Sequence, residues 1–138
     1  MSAHFFYKEN KMEVVVMKTI VVGGQIDKPE VKALVEKYSA GYFTIEVKSD
    51  LEAAMAVKAG TADYYVGACN TGGGGALAMA LALLGHDQCV TVSMPGKIMP
   101  EEKIRAEVAS GKKAFGFTAQ DKEKVIPILI DELKTITN

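Results

Sequence analysis

The chain has few of the residues that mark metal-binding, disulfide-linked or nucleic-acid-binding proteins. It contains only two cysteines, Cys69 and Cys89, and two histidines, and their spacing matches neither a zinc site nor a CxxC redox pair. Its 16 basic and 17 acidic residues nearly balance, with no long run of either sign, so no surface for nucleic acid or anionic membrane is expected. We therefore expect a cytoplasmic protein that needs no metal or other cofactor and whose partners are small molecules or proteins.

Long hydrophobic runs are also absent. No segment approaches the ~20 apolar residues of a membrane-spanning helix, and the N-terminus lacks the pattern of a secretory signal, so neither membrane insertion nor secretion is expected. At 138 residues and 49% hydrophobic content, the chain suits one domain with a proper core. Residues 1–13 mix aromatic and charged side chains without a period and are predicted to form a flexible extension, followed by a single domain over residues 14–138.

From Val14 onward, short β-branched runs alternate with amphipathic segments, which is typical of βαβ units and a parallel sheet. The predicted strands one to five cover residues 14–22, 42–47, 64–68, 89–93 and 114–117. The pattern predicts a three-layer α/β fold with a doubly wound, Rossmann-like or flavodoxin-like sheet of five parallel strands in the order 2-1-3-4-5. Ligands of such sheets bind beyond the C-terminal ends of the strands, where the strand order reverses.

Two helix starts carry capping signals. Asp27 with Glu30, and Ser49 with Glu52, have the spacing of a capping box. The apolar periodicity of the second helix predicts that Leu51, Ala54 and Met55 face inward.

Four consecutive glycines, Gly72 to Gly75, lie between the third predicted strand and an Ala- and Leu-rich helix. Four glycines at a helix entrance cost roughly 3–4 kcal/mol against alanine, which indicates a role beyond folding. Backbone N–H groups without neighbouring Cβ atoms can close on an anion at a helix start. We therefore predict a small anionic metabolite, phosphorylated or carboxylate, held by the loops after strands one, three and four. The predicted ligand-binding residues are Gly23, Gly24, Gln25, Asn70, Thr71, Gly72, Gly73, Gly74, Gly75, Ser93 and Lys97.

Cys69 ends the third predicted strand just before a helix start, a position where the pKa of a thiol is commonly lowered. It is a candidate general base, although a small buried residue at a tight turn explains it equally well. The third helix is apolar nearly all round, with Leu77, Met79, Ala82 and Leu83, which favours burial within the subunit or a homo-oligomer.

The segments DLEAAMAVKAG, DYYVGACNTG and KAFGF resemble the YhfU-type family of bacterial proteins, a family without an assigned function. The resemblance covers about residues 17 to 133. Members are similar in being small cytoplasmic proteins, usually encoded beside a membrane transport protein and enzymes of small-molecule metabolism. The resemblance implies a catabolic role, so a non-catalytic subunit or regulatory partner of a metabolic enzyme or transporter is an alternative to metabolite binding.

A more distant resemblance concerns the loop Cys69-x-Thr71-Gly72-x-Gly74, which is similar to the CxTGxG loop of B-type ribose-5-phosphate isomerases and galactose-6-phosphate isomerases. It implies that Cys69 moves a proton between adjacent carbons while Gly72 and Gly74 hold the developing oxyanion. That family carries an Asp-His pair after strand one, where this chain has Gly24-Gln25. The resemblance of the loop nevertheless implies an enzyme alternative, an isomerase with Cys69 as general base.

Overall fold

The computed structural model describes residues 2–70 and 77–137. Its strands are β1 (Ser2–Lys8), β2 (Lys11–Met17), β3 (Thr19–Gly24), β4 (Thr44–Val47), β5 (Tyr64–Cys69), β6 (Cys89–Thr91), β7 (Ser93–Met94), β8 (Lys97–Ile98) and β9 (Ala114–Thr118). Its helices are α1 (Lys28–Ser39), α2 (Asp50–Ala59), α3 (Ala78–Leu84), α4 (Glu101–Ala109) and α5 (Lys122–Thr137). None of the helices within these residues combines the length and the hydrophobicity of a membrane span.

The predicted α/β fold is confirmed: five parallel strands form one sheet with helices on both faces. The strand order is β4-β3-β5-β9-β6, which corresponds to 2-1-3-5-4 in the predicted numbering. The predicted order of the last two strands was therefore wrong. All five residues of β9 are buried, so this strand needs a neighbour on each side, whereas β6 is short and only partly buried and suits the edge.

The helices divide between the two faces of the sheet. On one face, α1, α4 and α5 pack over a large hydrophobic cluster, and α5 contacts both of the others. On the other face, α2 and α3 pack against each other and over a smaller cluster. We call these the large-residue face and the small-residue face of the sheet.

The N-terminal segment differs from its prediction. Residues 2–17 form an antiparallel hairpin, β1 with β2, instead of an irregular extension, and the boundary expected after residue 13 falls inside β2. The connecting residues Glu9 and Asn10 have φ angles of 55° and 65°, as a two-residue hairpin turn requires. The usual Asn-Gly or Asp-Gly signal is missing at Glu9-Asn10, which is why the turn was not predicted. The extent of the single domain stays a prediction.

One of the two capping boxes is confirmed. The Glu52 backbone N–H donates to Ser49 Oγ at 3.2 Å, and Ser49 Oγ donates to Glu52 Oε1 at 2.8 Å. The Asp27 box was wrong, because Asp27 adopts a left-handed conformation with φ of 56° and its side chain makes no cap hydrogen bond. Its carboxylate lies instead 3.4 Å from Lys122 Nζ, at the start of α5.

The inward face of α2 is also only partly as predicted. Ala54 is buried, but Leu51 and Met55 are 48% and 53% exposed, and Ala53 and Val57 take the inward positions. The helix lies close to the sheet, where Ala53 Cβ would be 3.0 Å from a Cβ placed on Gly23. Small residues therefore face the sheet and the two long side chains point outward.

Candidate functional site

A row of glycines crosses the small-residue face near the C-terminal ends of the strands. Gly23 of β3, Gly67 of β5 and Gly116 of β9 are aligned by the strand register. The Tyr65 side chain lies over two of them. A Cβ on Gly23 would be 2.5 Å from Tyr65 Cε2, and one on Gly67 would be 2.8 Å from the Tyr65 hydroxyl oxygen. These glycines make room for the tyrosine ring, a packing reason that sequence reasoning missed for Gly23.

The Tyr65 hydroxyl reaches the edge of the sheet and joins a small polar network. It donates a short hydrogen bond to Asp50 Oδ1, and it accepts one from the Gly24 N–H at 3.0 Å. The same Asp50 oxygen lies 3.3 Å from the Gly24 nitrogen. Burial, reinforced by the hydrogen bond to Asp50, raises the pKa of Tyr65 well above its usual range. Tyr65 is thus a neutral donor that ties β3, β5 and α2 together.

The turn after β3 folds onto the end of β5. Gly24 has a φ of 80°, and a Cβ there would lie 2.6 Å from the Ala68 nitrogen, so this position requires glycine. The N–H groups of Gln25 and Ile26 donate to the Ala68 carbonyl oxygen at 2.9 and 3.4 Å. The backbone amides of Gly24 and Gln25, both predicted to bind a ligand, already have partners within the protein, and Gln25 is itself exposed.

Cys69 and Thr118 lie side by side at the C-terminal ends of β5 and β9, where the strand register pairs them. They follow Gly67 and Gly116 by two positions, so both side chains project on the small-residue face. Cys69 is 1% exposed and Thr118 is 3% exposed. The Thr118 hydroxyl is buried and makes no hydrogen bond to any described residue. Asn70, the next residue after Cys69, is exposed at the same edge.

The two predicted ligand residues after β6 lie farther along this edge, because β9 separates β6 from β5. Ser93 is buried, and its Oγ accepts a hydrogen bond from the Thr118 N–H at 2.9 Å, which fixes the end of β9. Lys97 is exposed on the short hairpin formed by β7 and β8. Thr71 and the glycines from Gly72 to Gly75 lie outside the described residues, so their predicted roles stay predictions.

The second cysteine is a core residue. Cys89 begins β6, is 8% exposed and belongs to the cluster on the small-residue face. Burial raises the pKa of its thiol, and nearby Lys112 opposes that shift. This thiol is not activated for nucleophilic chemistry.

Comparison with known proteins agrees with the sequence resemblance. Residues 18–133 match the family described as protein of unknown function DUF2620. Over 118 residues the chain is 42% identical to the uncharacterized protein YhfU of Escherichia coli strain K12, a match that spans 86% of this chain and 100% of that relative. The YhfU protein of Shigella flexneri matches to the same extent. No solved structure matches the chain.

This chain therefore belongs to the DUF2620 family, and the predicted YhfU-type membership is confirmed. The family description assigns no activity. The distant similarity to isomerases receives no support from these matches and stays a prediction.

Proposed function

We propose that this protein is a cytoplasmic, self-associating protein that binds a small anionic metabolite at the C-terminal edge of the sheet, between the loops after β3, β5 and β9. The observation that carries the proposal is the Thr118 hydroxyl, which is buried without a partner among the described residues. Leaving such a hydroxyl unsatisfied costs about 1–3 kcal/mol. A ligand that accepts or donates one hydrogen bond there explains why a threonine, and not a valine, ends β9.

The position of Thr118 supports a ligand site. The chain leaves β3 toward one side of the sheet and β5 toward the other, so the loops after these strands diverge. The crevice between such loops is where ligands of doubly wound sheets bind. Thr118 lies one strand away from that crevice, beside Cys69 and next to the exposed Asn70.

Two lysines lie at the same edge of the sheet, near the loop after β3, on helices that pack on the large-residue face. Lys28 and Lys122 are the first residues of α1 and α5, and both helices start at this edge. The Lys122 ammonium group lies 3.4 Å from both the Asp27 carboxylate and the Ala119 carbonyl oxygen, a loose arrangement. A phosphate or carboxylate can compete for such a group. The glycine-rich segment that follows Asn70 in sequence is the predicted source of backbone amides for the anion.

Catalysis by Cys69 is not part of this proposal. A general base must come within hydrogen-bond reach of the proton that it removes. Cys69 is 1% exposed and Thr118 is 3% exposed, so burial does not separate the two; the hydroxyl without a partner among the described residues distinguishes Thr118. Thr118 provides the better-supported contact.

The test combines ligand screening with Thr118→Val, which removes the hydroxyl and keeps the shape. Thermal unfolding of the wild type is measured against sugar phosphates, phosphorylated amino acids and carboxylates, since a compound at 100 times its Kd adds about 2.7 kcal/mol of stability. For any compound that stabilises the protein, Thr118→Val should raise Kd about tenfold, a loss of about 1.4 kcal/mol. The ligand-free variant should be more stable than wild type by about 1 kcal/mol, because the unsatisfied hydroxyl is gone.

Ser39→Ala is the matched control. The Ser39 hydroxyl is also buried without a described partner, but it lies at the C-terminal end of α1, at the opposite edge of the sheet. This variant should leave Kd unchanged. An unchanged Kd in Thr118→Val would remove Thr118 from the site, and a panel without a single stabilising compound would contradict metabolite binding.

Self-association is supported by the surface of α3. This helix has no charged or hydrogen-bonding side chain, yet Ala78, Met79 and Ala82 are exposed. An outer helix normally presents polar residues to water, so the apolar surface is better explained if a second copy covers it. Neighbouring α2 extends the apolar surface with Leu51 and Met55.

Light scattering after size exclusion tests this part directly. The wild type should run as an oligomer, and Ala82→Glu should convert it to the monomer because a charge would be buried in the interface. Ala109→Glu places the same change on an exposed residue of α4 and should leave the mass unchanged. A monomeric wild type, or an oligomeric Ala82→Glu variant, would overturn the role of α3.

A further inference from the structure

A second candidate site lies at the other end of the sheet edge, around the β7–β8 hairpin. A cavity of about 400 Å³ opens between this hairpin and the start of α4. Apolar side chains form most of its wall, among them Met94, Ile98, Met99 and Pro100. Both its volume and its apolar lining are within the range of small-molecule pockets.

Two lysines line the same cavity. Lys97 and Lys103 are exposed residues, so their ammonium groups lie at its opening and not on its floor. No acidic residue lines the cavity, and within residues 2–70 and 77–137 neither lysine takes part in an ion pair. Arg105, two residues after Lys103, shows the contrast, since it pairs with Glu101, Asp131 and Glu132. The two lysines present positive charge that the described residues do not neutralise.

The hairpin is fixed to the sheet, so the cavity has a defined shape. The register pairs Ser93 with Ile98 and Met94 with Lys97. The Met99 N–H donates to the Val92 carbonyl oxygen at 2.9 Å, which returns the chain to the end of β6. Ser93 Oγ holds the Thr118 N–H at 2.9 Å and fastens the hairpin to β9. Lys97 is thus presented at the cavity by a paired strand and not by an irregular loop.

We propose that this cavity binds an amphipathic organic anion, with its apolar body against the methionine and isoleucine side chains and its carboxylate or phosphate between Lys97 and Lys103. A cavity with apolar walls alone would bind a neutral compound, and two lysines alone would bind inorganic phosphate weakly. The combination selects a molecule that carries both an apolar body and a negative charge. This site is separate from the Thr118 site, because the Thr118 side chain projects on the small-residue face whereas Val92, which lines the cavity, belongs to the cluster of the large-residue face.

The test measures binding of phenyl phosphate and phenylacetate by calorimetry or by NMR titration. Benzyl alcohol serves as the neutral analogue, and inorganic phosphate and acetate serve as analogues without an apolar body. Both aromatic anions should bind at least tenfold more tightly than these comparison compounds. The double substitution Lys97→Gln with Lys103→Gln should raise their Kd at least tenfold, whereas Lys58→Gln with Lys124→Gln, two exposed lysines elsewhere, should not.

Three results would overturn the proposal: equal binding of benzyl alcohol, an unchanged Kd in the Lys97/Lys103 variant, or no binding of either aromatic anion. Thr118→Val keeps this inference distinct from the proposed function, since that variant should bind phenyl phosphate like the wild type. Loss of phenyl phosphate binding in Thr118→Val would instead show one shared site and contradict a separate one.

Discussion

The two faces of the central sheet differ in the size of the side chains that they bury. The large-residue face holds aliphatic and aromatic side chains, including Phe115, Phe117, Ile104, Leu129, Ile130 and Leu133. The small-residue face holds mainly alanine and the aligned glycines, together with Tyr65 as its largest fully buried side chain. Fully burying a large apolar side chain stabilises a protein by about 1.5–3 kcal/mol, so the large-residue face contributes more of the hydrophobic stabilisation.

The polar groups of the candidate site lie on the face that contributes less of the hydrophobic stabilisation. Asp50, the Tyr65 hydroxyl, Cys69 and the Thr118 hydroxyl, which has no partner among the described residues, all lie on the small-residue face or at its edge. Small residues let α2 approach the sheet closely and leave room for hydrogen-bonding groups between them. The protein therefore places its main core and the Thr118 hydroxyl on opposite faces of one sheet.

The largest effect that tests this comparison is expected for Gly67→Ala. The added Cβ would lie 2.8 Å from the Tyr65 hydroxyl oxygen and 2.9 Å from Cε1, and the tyrosine is held by Asp50 and Gly24. Overpacking of this kind destabilises by about 1–3 kcal/mol, which urea unfolding measures directly. Tyr65→Leu removes the ring that the added methyl group of Gly67→Ala would contact. The double variant should therefore be more stable than the sum of the two single changes predicts.

The neighbouring residue on the other face provides the control. Val66 points to the large-residue face, and Val66→Ala should cost about 2 kcal/mol by leaving a cavity. Tyr65→Leu should not offset that loss, because the two side chains lie on opposite faces. Strict additivity for Gly67→Ala with Tyr65→Leu would mean that the glycine is not there to accommodate the ring.

The sequence was a good guide to the sheet and a poor one to its small-residue face. Continuous apolar runs mark buried parallel strands, and alternation with helices is a signal spread over the whole chain, so the fold class could be predicted. β9 lies between β5 and β6, and this order depends on which of the last strands has a neighbour on each side. Hydrophobic periodicity along the sequence does not indicate that order. Leu51 and Met55 look like core residues by period, but close packing of α2 on the glycines selects alanine instead.

The location of the candidate site could be predicted from the sequence, but the contacts between its residues could not. The edge beyond β3 and β5 follows from the topology. The Gly24 N–H donates to Asp50 and Tyr65, which are 26 and 41 residues away in sequence. No local motif encodes such tertiary contacts. Thr118 was missed because a threonine at the end of a strand is ordinary, and only burial without a partner makes it notable.

A smaller effect, and one that depends on pH, is expected for Tyr65→Phe. At neutral pH the variant loses the hydrogen bonds to Asp50 and Gly24 and should be less stable by about 1–2 kcal/mol.

The pKa of Tyr65 is raised in the folded state, first by burial and then by Asp50, above its ordinary value of about 10 in the unfolded chain. The folded protein therefore keeps this proton when the unfolded chain releases it, and the stabilisation is complete below about pH 10 and declines above it. The wild type should lose up to about 1.4 kcal/mol per pH unit from this group, so its advantage over Tyr65→Phe should shrink between about pH 10 and 11. Urea unfolding of both proteins across that range, with the exposed Tyr7→Phe as control, provides the measurement. Parallel stability curves would show that the Tyr65 hydroxyl is not buried in the network at the edge of the small-residue face.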